Sequence, residues 1–182
     1  EDGIRDPLWS RGLGDVYKRQ IDNINDLNKS DFLSIFGNVF EKTESVAQEA
    51  FESKPFKDFD DIVFKMLDIY ENYKKEKILE ILNAHPELAI AKKMTSESIS
   101  EQASAKLNEC SDDEYEEFKK LNFEYKKKFN FPFIIAVKGK NKNEILMNFR
   151  QRIKNDVESE FLEAKKQVKK IATFRLNEIN KK

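Results

Sequence analysis

One cysteine, one histidine, one tryptophan, five glycines and four prolines among 182 residues exclude several kinds of protein before any pattern is read. Cys110 alone cannot close an internal disulfide, and with His85 as the single histidine it leaves too few ligands for a zinc centre. So few glycines and prolines argue against a sandwich or barrel, which needs a turn after every short strand. No apolar run approaches the roughly 18 residues that a membrane helix requires. Nor is there an excess of one charge: 33 Lys and Arg stand against 34 Asp and Glu, a net charge of −1. That balance gives no long-range pull toward nucleic acid or an anionic membrane.

What is present is helix-forming material. Charged residues make up 37% and hydrophobic residues 39%, with 15 Phe to fill a core. Lys, Glu, Leu and Ala favour helix over strand. The length suits one domain. Residues 1–20 stand apart, with no helical period and no apolar stretch of signal-peptide type. Their run Ile4-Arg5-Asp6-Pro7-Leu8-Trp9-Ser10 onward looks like translated cloning-adapter sequence, so they are read as a disordered, non-native segment. Residues 21–182 are read as a single-domain, all-α helical bundle of about eight helices.

The expected helices follow from the 3–4 spacing of apolar residues. Asn28 caps a first helix with Phe32, Ile35, Phe36, Val39 and Phe40 inward. Val46, Ala47, Ala50 and Phe51 make a short second, stopped by Pro55. Asp58 or Asp60 opens a third carrying Ile62, Val63, Met66, Leu67 and Tyr70. A fourth, from about Tyr73 to Ala84, ends at His85-Pro86, where the proline forces His85 out of helical geometry. A fifth runs from near Ser98 to about Cys110. Ser111 and Glu114 form a capping box for a sixth, which presents Tyr115, Phe118, Leu121, Tyr125 and Phe129. Phe131 to Val137 reads as extended. Buried between helices, its N–H and C=O groups need partners, and a polar ligand could be one. After a turn at Gly139 to Asn141, a seventh helix carries Ile145, Leu146, Phe149 and Ile153. The last spans roughly Val157 to Ile179. Lys126-Lys127-Lys128 and the acids of Asp112 to Glu117 read as solvated helix faces.

Three polar residues fall at inward positions. His85 follows Ile78, Ile81 and Leu82 at helical spacing. Ser98-Ile99-Ser100-Glu101 matches a capping box, an ordinary structural account of both end residues. Arg175 lies on the stripe of Val168, Ile171 and Ile179, and a buried guanidinium needs a protein carboxylate or an anionic ligand. A histidine, a carboxylate and an arginine turned inward together suggest a small polar site for an anion.

The segments that hold these residues resemble the OHCU decarboxylase family, where OHCU is 2-oxo-4-hydroxy-4-carboxy-5-ureidoimidazoline. The resemblance extends from about Ile24 to Ile179, in five ordered blocks. These are His85-Pro86-Glu87-Leu88-Ala89; Thr95 to Ala103; Leu121-Asn122 with Tyr125; Phe129 to Val137; and Arg175-Leu176. It implies an all-α, cofactor-free homodimer that converts OHCU to (S)-allantoin in urate degradation. It further implies that His85 is the catalytic histidine, Glu101 the essential glutamate and Arg175 an arginine of the site. Pro86, the stretch Ser98, Ile99, Ser100, Glu101 and Gln102, and the stretch Phe133, Ile134, Ile135, Ala136 and Val137 match substrate-contacting positions. Two departures stand out. The link between Ala89 and Glu101 is about four residues shorter than is common in the family, and Lys106 stands where the family usually has glycine.

By the same resemblance the ligand is a small ureidoimidazoline, with no nucleic acid or membrane partner. The substrate carries carboxylate and hydroxyl on one ring carbon beside an imine-type carbon. It therefore contains its own electron sink, and neither metal nor organic cofactor is required. His85 is expected to transfer protons, Glu101 to orient its imidazole, and Arg175 to grip substrate oxygens in fork geometry. Two other readings remain: a non-catalytic helical interaction module that kept the fold, and a decarboxylase of a related ureido acid. Asn180-Lys181-Lys182 is not the peroxisomal Ser-Lys-Leu signal, so cytoplasm is expected.

Overall fold

The computed structural model describes residues 21–89 and 95–181 of the chain. The adapter-like reading of residues 1–20 lies outside the described residues, as does most of the shortened link after Ala89. A helical stretch at 21–26 leads into eight α-helices. These are α1 (Lys29–Phe36), α2 (Ser45–Phe51), α3 (Phe59–Asn72), α4 (Lys75–Ala84), α5 (Ser96–Ser104), α6 (Asp112–Phe129), α7 (Lys142–Arg152) and α8 (Val157–Ile179). A 3-10 turn, Leu107–Glu109, follows α5, and no strand occurs among the described residues. The all-α reading holds. At 23 residues α8 is the longest helix, and it packs against α3, α4 and α6.

Local chemistry explains most boundaries. Asn28, Asp58, Ser111, Asn141 and Asp156 each accept a backbone N–H from the first turn of the helix they precede. On α6 the two charge clusters lie at opposite ends, Asp112, Asp113 and Glu114 in the first turn and Lys126, Lys127 and Lys128 in the last. Both complement the helix dipole. Asn130 then ends α6 in a left-handed conformation, and Gly139 (φ 77°) makes the turn before α7.

Two groups of rings fill the core. Phe32 packs on Phe36, Phe51 and Phe56; Tyr125 packs on Phe129, Phe131, Phe133 and Phe149. The Tyr70 hydroxyl donates to the Lys165 carbonyl at 3.1 Å, tying α3 to α8.

The structure departs from the periodic reading in three places. The first helix stops at Phe36, with Val39 and Phe40 buried in the turns beyond it, while Ile35 is 42% exposed. Tyr115 on α6 is 39% exposed. The fifth helix begins at Ser96 rather than Ser98 and ends at Ser104. Its cap is Thr95, whose Oγ1 accepts the Ser98 N–H at 3.3 Å, so the capping box expected of Ser98 and Glu101 does not form. Both side chains are thereby left for other work.

Candidate active site

The site is assembled from four places far apart in sequence: the turn after α1, the end of α4, α5, and the last third of α8. Gly37 makes the first of these possible. A Cβ there would sit 2.5 Å from the Leu33 carbonyl oxygen, so only glycine lets the chain turn off α1 this tightly. The turn delivers Glu41 to the interior with its side chain wholly buried.

Arg175 is the hub. It is 7% exposed, and its guanidinium meets two carboxylates. Glu101 takes it in a fork, Nε to Oε1 at 2.8 Å and Nη2 to Oε2 at 2.9 Å. Glu41 accepts from Nη2 at 3.0 Å, with the Ser98 hydroxyl 3.2 Å from the same nitrogen. Nη1 donates to the Asn38 carbonyl at 3.1 Å, which leaves its second hydrogen without a partner among the described residues. The sequence required a carboxylate or an anion for Arg175, and the structure supplies two carboxylates. Fork geometry toward a substrate is thereby ruled out in this arrangement, because Glu101 occupies the fork.

Glu41 is held from several sides. Ser98 donates its hydroxyl at 2.6 Å, and Thr95 donates to both carboxylate oxygens at 3.1 and 3.2 Å. Burial pushes the Glu41 carboxyl up, but the Ser98 hydrogen bond and the charges of Arg175 and His85 outweigh it and hold it below the ordinary value. It is a fixed, ionised carboxylate inside the protein.

His85 closes α4, extended at φ −71° and ψ 142° as Pro86 demands. Its Nδ1 lies 2.8 Å from the Ile81 carbonyl oxygen. A carbonyl can only accept, so Nδ1 carries the proton and Nε2 keeps the lone pair of the neutral ring. Burial drives His85 down to about 4, against the raising effects of the Ile81 carbonyl and Glu41; the charge of Arg175 lowers it further. The ring is therefore neutral near pH 7. Glu101 does not orient it: that carboxylate is spent on Arg175, and the Ile81 carbonyl holds the imidazole.

The loop beyond His85 is pinned from two helices. Gln102 accepts the Ala89 N–H at 3.1 Å and donates to the Glu87 carbonyl at 3.4 Å, and Asn122 donates to the Leu88 carbonyl at 3.0 Å. Gln102, expected to touch substrate, braces this loop. Ser98 likewise serves Glu41 and Arg175, while Ile99 and Ser100 lie on the exposed side of α5.

Phe131 to Val137 is extended and buried throughout, as expected. Phe133 is clamped between the Phe149 ring, stacked at 3.9 Å, and the Arg152 guanidinium 4.5 Å from its centroid. Arg152 also donates to the Ile134 carbonyl at 2.8 Å and pairs with the buried Glu160, which Tyr125 and Asn155 further bind. Gln167 accepts the Ala136 N–H at 2.9 Å. Ile135, between these anchors, has neither its N–H nor its C=O paired among the described residues. Such buried groups call for a partner.

A cleft of about 1490 Å³ opens beside Arg175 and Glu101, walled by Ser100, Ala136, Val137 and Phe174. His85 is not on its wall, nor are Pro86, Phe133, Ile134 and Ile135. Of the expected catalytic residues, Arg175 and Glu101 thus lie on the cleft, while His85 is buried away from its wall. Glu41 was the residue sequence reasoning missed. Its one signal was the unmet need of Arg175 for a carboxylate, and nothing in local spacing says which of 34 acidic residues answers it.

The OHCU decarboxylase family model matches residues 25–177, the whole of this site included. The chain belongs to the OHCU decarboxylase family. It is 36% identical over 163 residues to a 2-oxo-4-hydroxy-4-carboxy-5-ureidoimidazoline decarboxylase of Haloferax volcanii, covering 90% of this chain and 97% of that one. A uric acid degradation bifunctional protein of Bacillus sp. TB-90 is 38% identical over 88% of this chain, which spans only 32% of that longer protein. Among solved structures, an OHCU decarboxylase crystallised in the presence of (S)-allantoin superposes with a TM-score of 0.69 at 26% identity, covering 80% of this chain and 97% of that one. No group of His, Cys, Asp and Glu able to hold a metal occurs among the described residues, and none of their helices is long and apolar enough to cross a membrane.

Proposed function

We propose that this member of the family decarboxylates OHCU to (S)-allantoin, as a carboxy-lyase of urate degradation that needs no cofactor. The observation that carries the reading is the pairing of a neutral buried histidine, with its lone pair on Nε2, with an ion cluster built on Arg175 and Glu101. A helical interaction module would have no use for buried polar side chains such as Glu41, His85 and Arg175, whose desolvation costs stability.

The chemistry follows from the substrate. Breaking the bond from C4 to its carboxylate releases CO2. The electron pair forms C4=C5 as the C5=N pair moves onto nitrogen, which takes a proton from water. The enol must then lose its C4 hydroxyl proton and gain one at C5. In our reading Nε2 of His85 takes the hydroxyl proton as C4=O forms, and the imidazolium returns it to C5 from one face. Delivery from a fixed side yields one enantiomer. The Nη1 hydrogen of Arg175 and the Ile135 backbone groups, which have no partner among the described residues, are suited to substrate carbonyl and ureido groups, with Pro86 and the flanking backbone of Phe133 to Val137 lining the ring.

The test is direct. The protein is mixed with freshly generated OHCU while optical activity and CO2 release are followed. Formation of (S)-allantoin well above the spontaneous, racemic background supports the reading, and a rate equal to background rejects it. A homodimer in the cytoplasm completes the proposal. Light scattering in solution and fractionation of the source cells test those two parts.

A further inference from the structure

A buried extended segment needs a neighbouring strand to receive its N–H and C=O groups, and Phe131 to Val137 has none among the described residues. In an extended chain, consecutive residues turn these groups to opposite edges, while one residue's N–H and C=O share an edge. Ile134 and Ala136 therefore share one edge, and Phe133, Ile135 and Val137 the other. On the first edge, the two groups nearest Ile135 are closed by side chains. Arg152 Nη1 donates to the Ile134 carbonyl at 2.8 Å, and Gln167 Oε1 accepts the Ala136 N–H at 2.9 Å. A donor and an acceptor thus stand where a neighbouring strand would put them. The second edge is bare. Neither Phe133 nor Ile135 has its N–H or C=O paired among the described residues, nor has Val137 its N–H. Val137 lies on the cleft wall, so this edge begins at the cleft and runs inward.

Both anchors are themselves fixed. Arg152 donates from Nε and Nη2 to Oε1 of the fully buried Glu160, at 2.9 and 2.6 Å, and Asn155 donates to Oε2 at 2.7 Å. Gln167 donates from Nε2 to Glu163 at 2.7 Å, which turns its Oε1 toward the segment. We propose that Gln167 is a positioning residue: with Arg152 it replaces the missing strand on one edge, and so holds the opposite edge at Ile135 open for the ureido group of the ligand. The chemistry of that group fits. The N–H and C=O of one extended residue pair with one side of a carboxamide, its carbonyl accepting and its N–H donating, and a terminal ureido group carries the same two functions. The assignment rests on the reading of OHCU as substrate and deepens it, since it names what presents the backbone to the ligand. Gln167 is not on the cleft wall and acts through Ala136.

The experiment is made at Gln167, because removing Arg152 would strand the buried Glu160 and endanger the fold. Gln167 is half-buried, so Gln167→Met should keep the fold while deleting the acceptor. Gln167→Glu restores an acceptor, and the half-exposed Glu163 can swing away from it. Both variants are assayed on OHCU and checked for a cooperative melt. Gln167→Met should raise KM about three- to tenfold, the net worth of one hydrogen bond, with kcat within about twofold. Gln167→Glu should bring KM back to within about twofold of wild type. A merely structural defect would instead reduce the folded fraction, lowering apparent kcat and leaving KM unmoved. Hydrogen exchange at single amides, with and without (S)-allantoin, gives a second readout. In the wild-type protein (S)-allantoin should slow the Ile135 amide about tenfold or more and leave Ala136, already bonded, unchanged. Without ligand, the Ala136 amide should exchange faster in Gln167→Met than in wild type. A KM unmoved by Gln167→Met, a Glu variant as impaired as the Met variant, or an Ile135 amide indifferent to (S)-allantoin would overturn the proposal. A wild-type protein that turns over no OHCU would defeat the proposed function alone, and weaker protection of Ile135 by (S)-allantoin in Gln167→Met would still decide the role of Gln167.

Discussion

Replacing His85 with asparagine should change how the stability of the protein depends on pH, by an amount the structure sets. In the unfolded chain this histidine protonates near its ordinary value of about 6.5. In the native protein burial pushes it down to about 4. Between those values the unfolded state binds the proton and the native state does not, so stability falls as pH falls through the window. The loss begins near pH 6.5 and is complete near pH 4. At about 1.4 kcal/mol per unit, lowering the pH from 7 to 4.5 costs roughly 2.5 kcal/mol through this one group. Asparagine does not titrate, and its amide can donate to the Ile81 carbonyl as Nδ1 does. Carboxyls held low by their partners, such as Asp61 and Glu71, also lose stability on acidification, but both proteins share them. Urea unfolding followed by far-UV circular dichroism at several pH values therefore isolates His85. The wild-type protein should lose about 2 kcal/mol more than His85→Asn across this range. Parallel curves would mean that His85 is not held neutral in the fold, and the proton-transfer reading would lose its basis.

Arg175→Met should destabilise the protein by about 3 kcal/mol, because it strands the buried Glu41; adding Glu41→Gln should recover much of the loss, measured as Tm. Lys106→Gly should raise stability by about 1 kcal/mol in the same assay, since Lys106 adopts a left-handed φ of 57° that costs a side chain and not glycine. Dialysis against a strong chelator should leave OHCU turnover unchanged. Activity lost and then restored only by added metal would refute the cofactor-free mechanism.

Much of this protein was legible in the sequence because helices are local. The spacing of Ile62, Met66 and Tyr70, the caps at Asn28 and Ser111, and the break at His85-Pro86 each act within a turn or two of chain, and each is present in the fold. The resemblance in five blocks named the family that the comparisons then established. Even the left-handed Lys106 was foreshadowed by the glycine usual at that position. The apolar period overreached where it met a turn. Gly37 bends the chain off α1, so Val39 and Phe40 are buried outside any helix and Ile35 faces solvent. The capping box expected of Ser98 and Glu101 did not form, because Thr95 caps α5 one turn earlier, which freed Ser98 and Glu101 to turn toward Arg175. Which charges meet is a different kind of question. Arg175 reaches Glu101 across 74 residues and Glu41 across 134, and no local pattern encodes such a pairing. Sequence determined that a buried arginine on α8 must be neutralised. Only the packing of α8 against the turn after α1 and against α5 decided that two carboxylates would do it, one of them wholly buried.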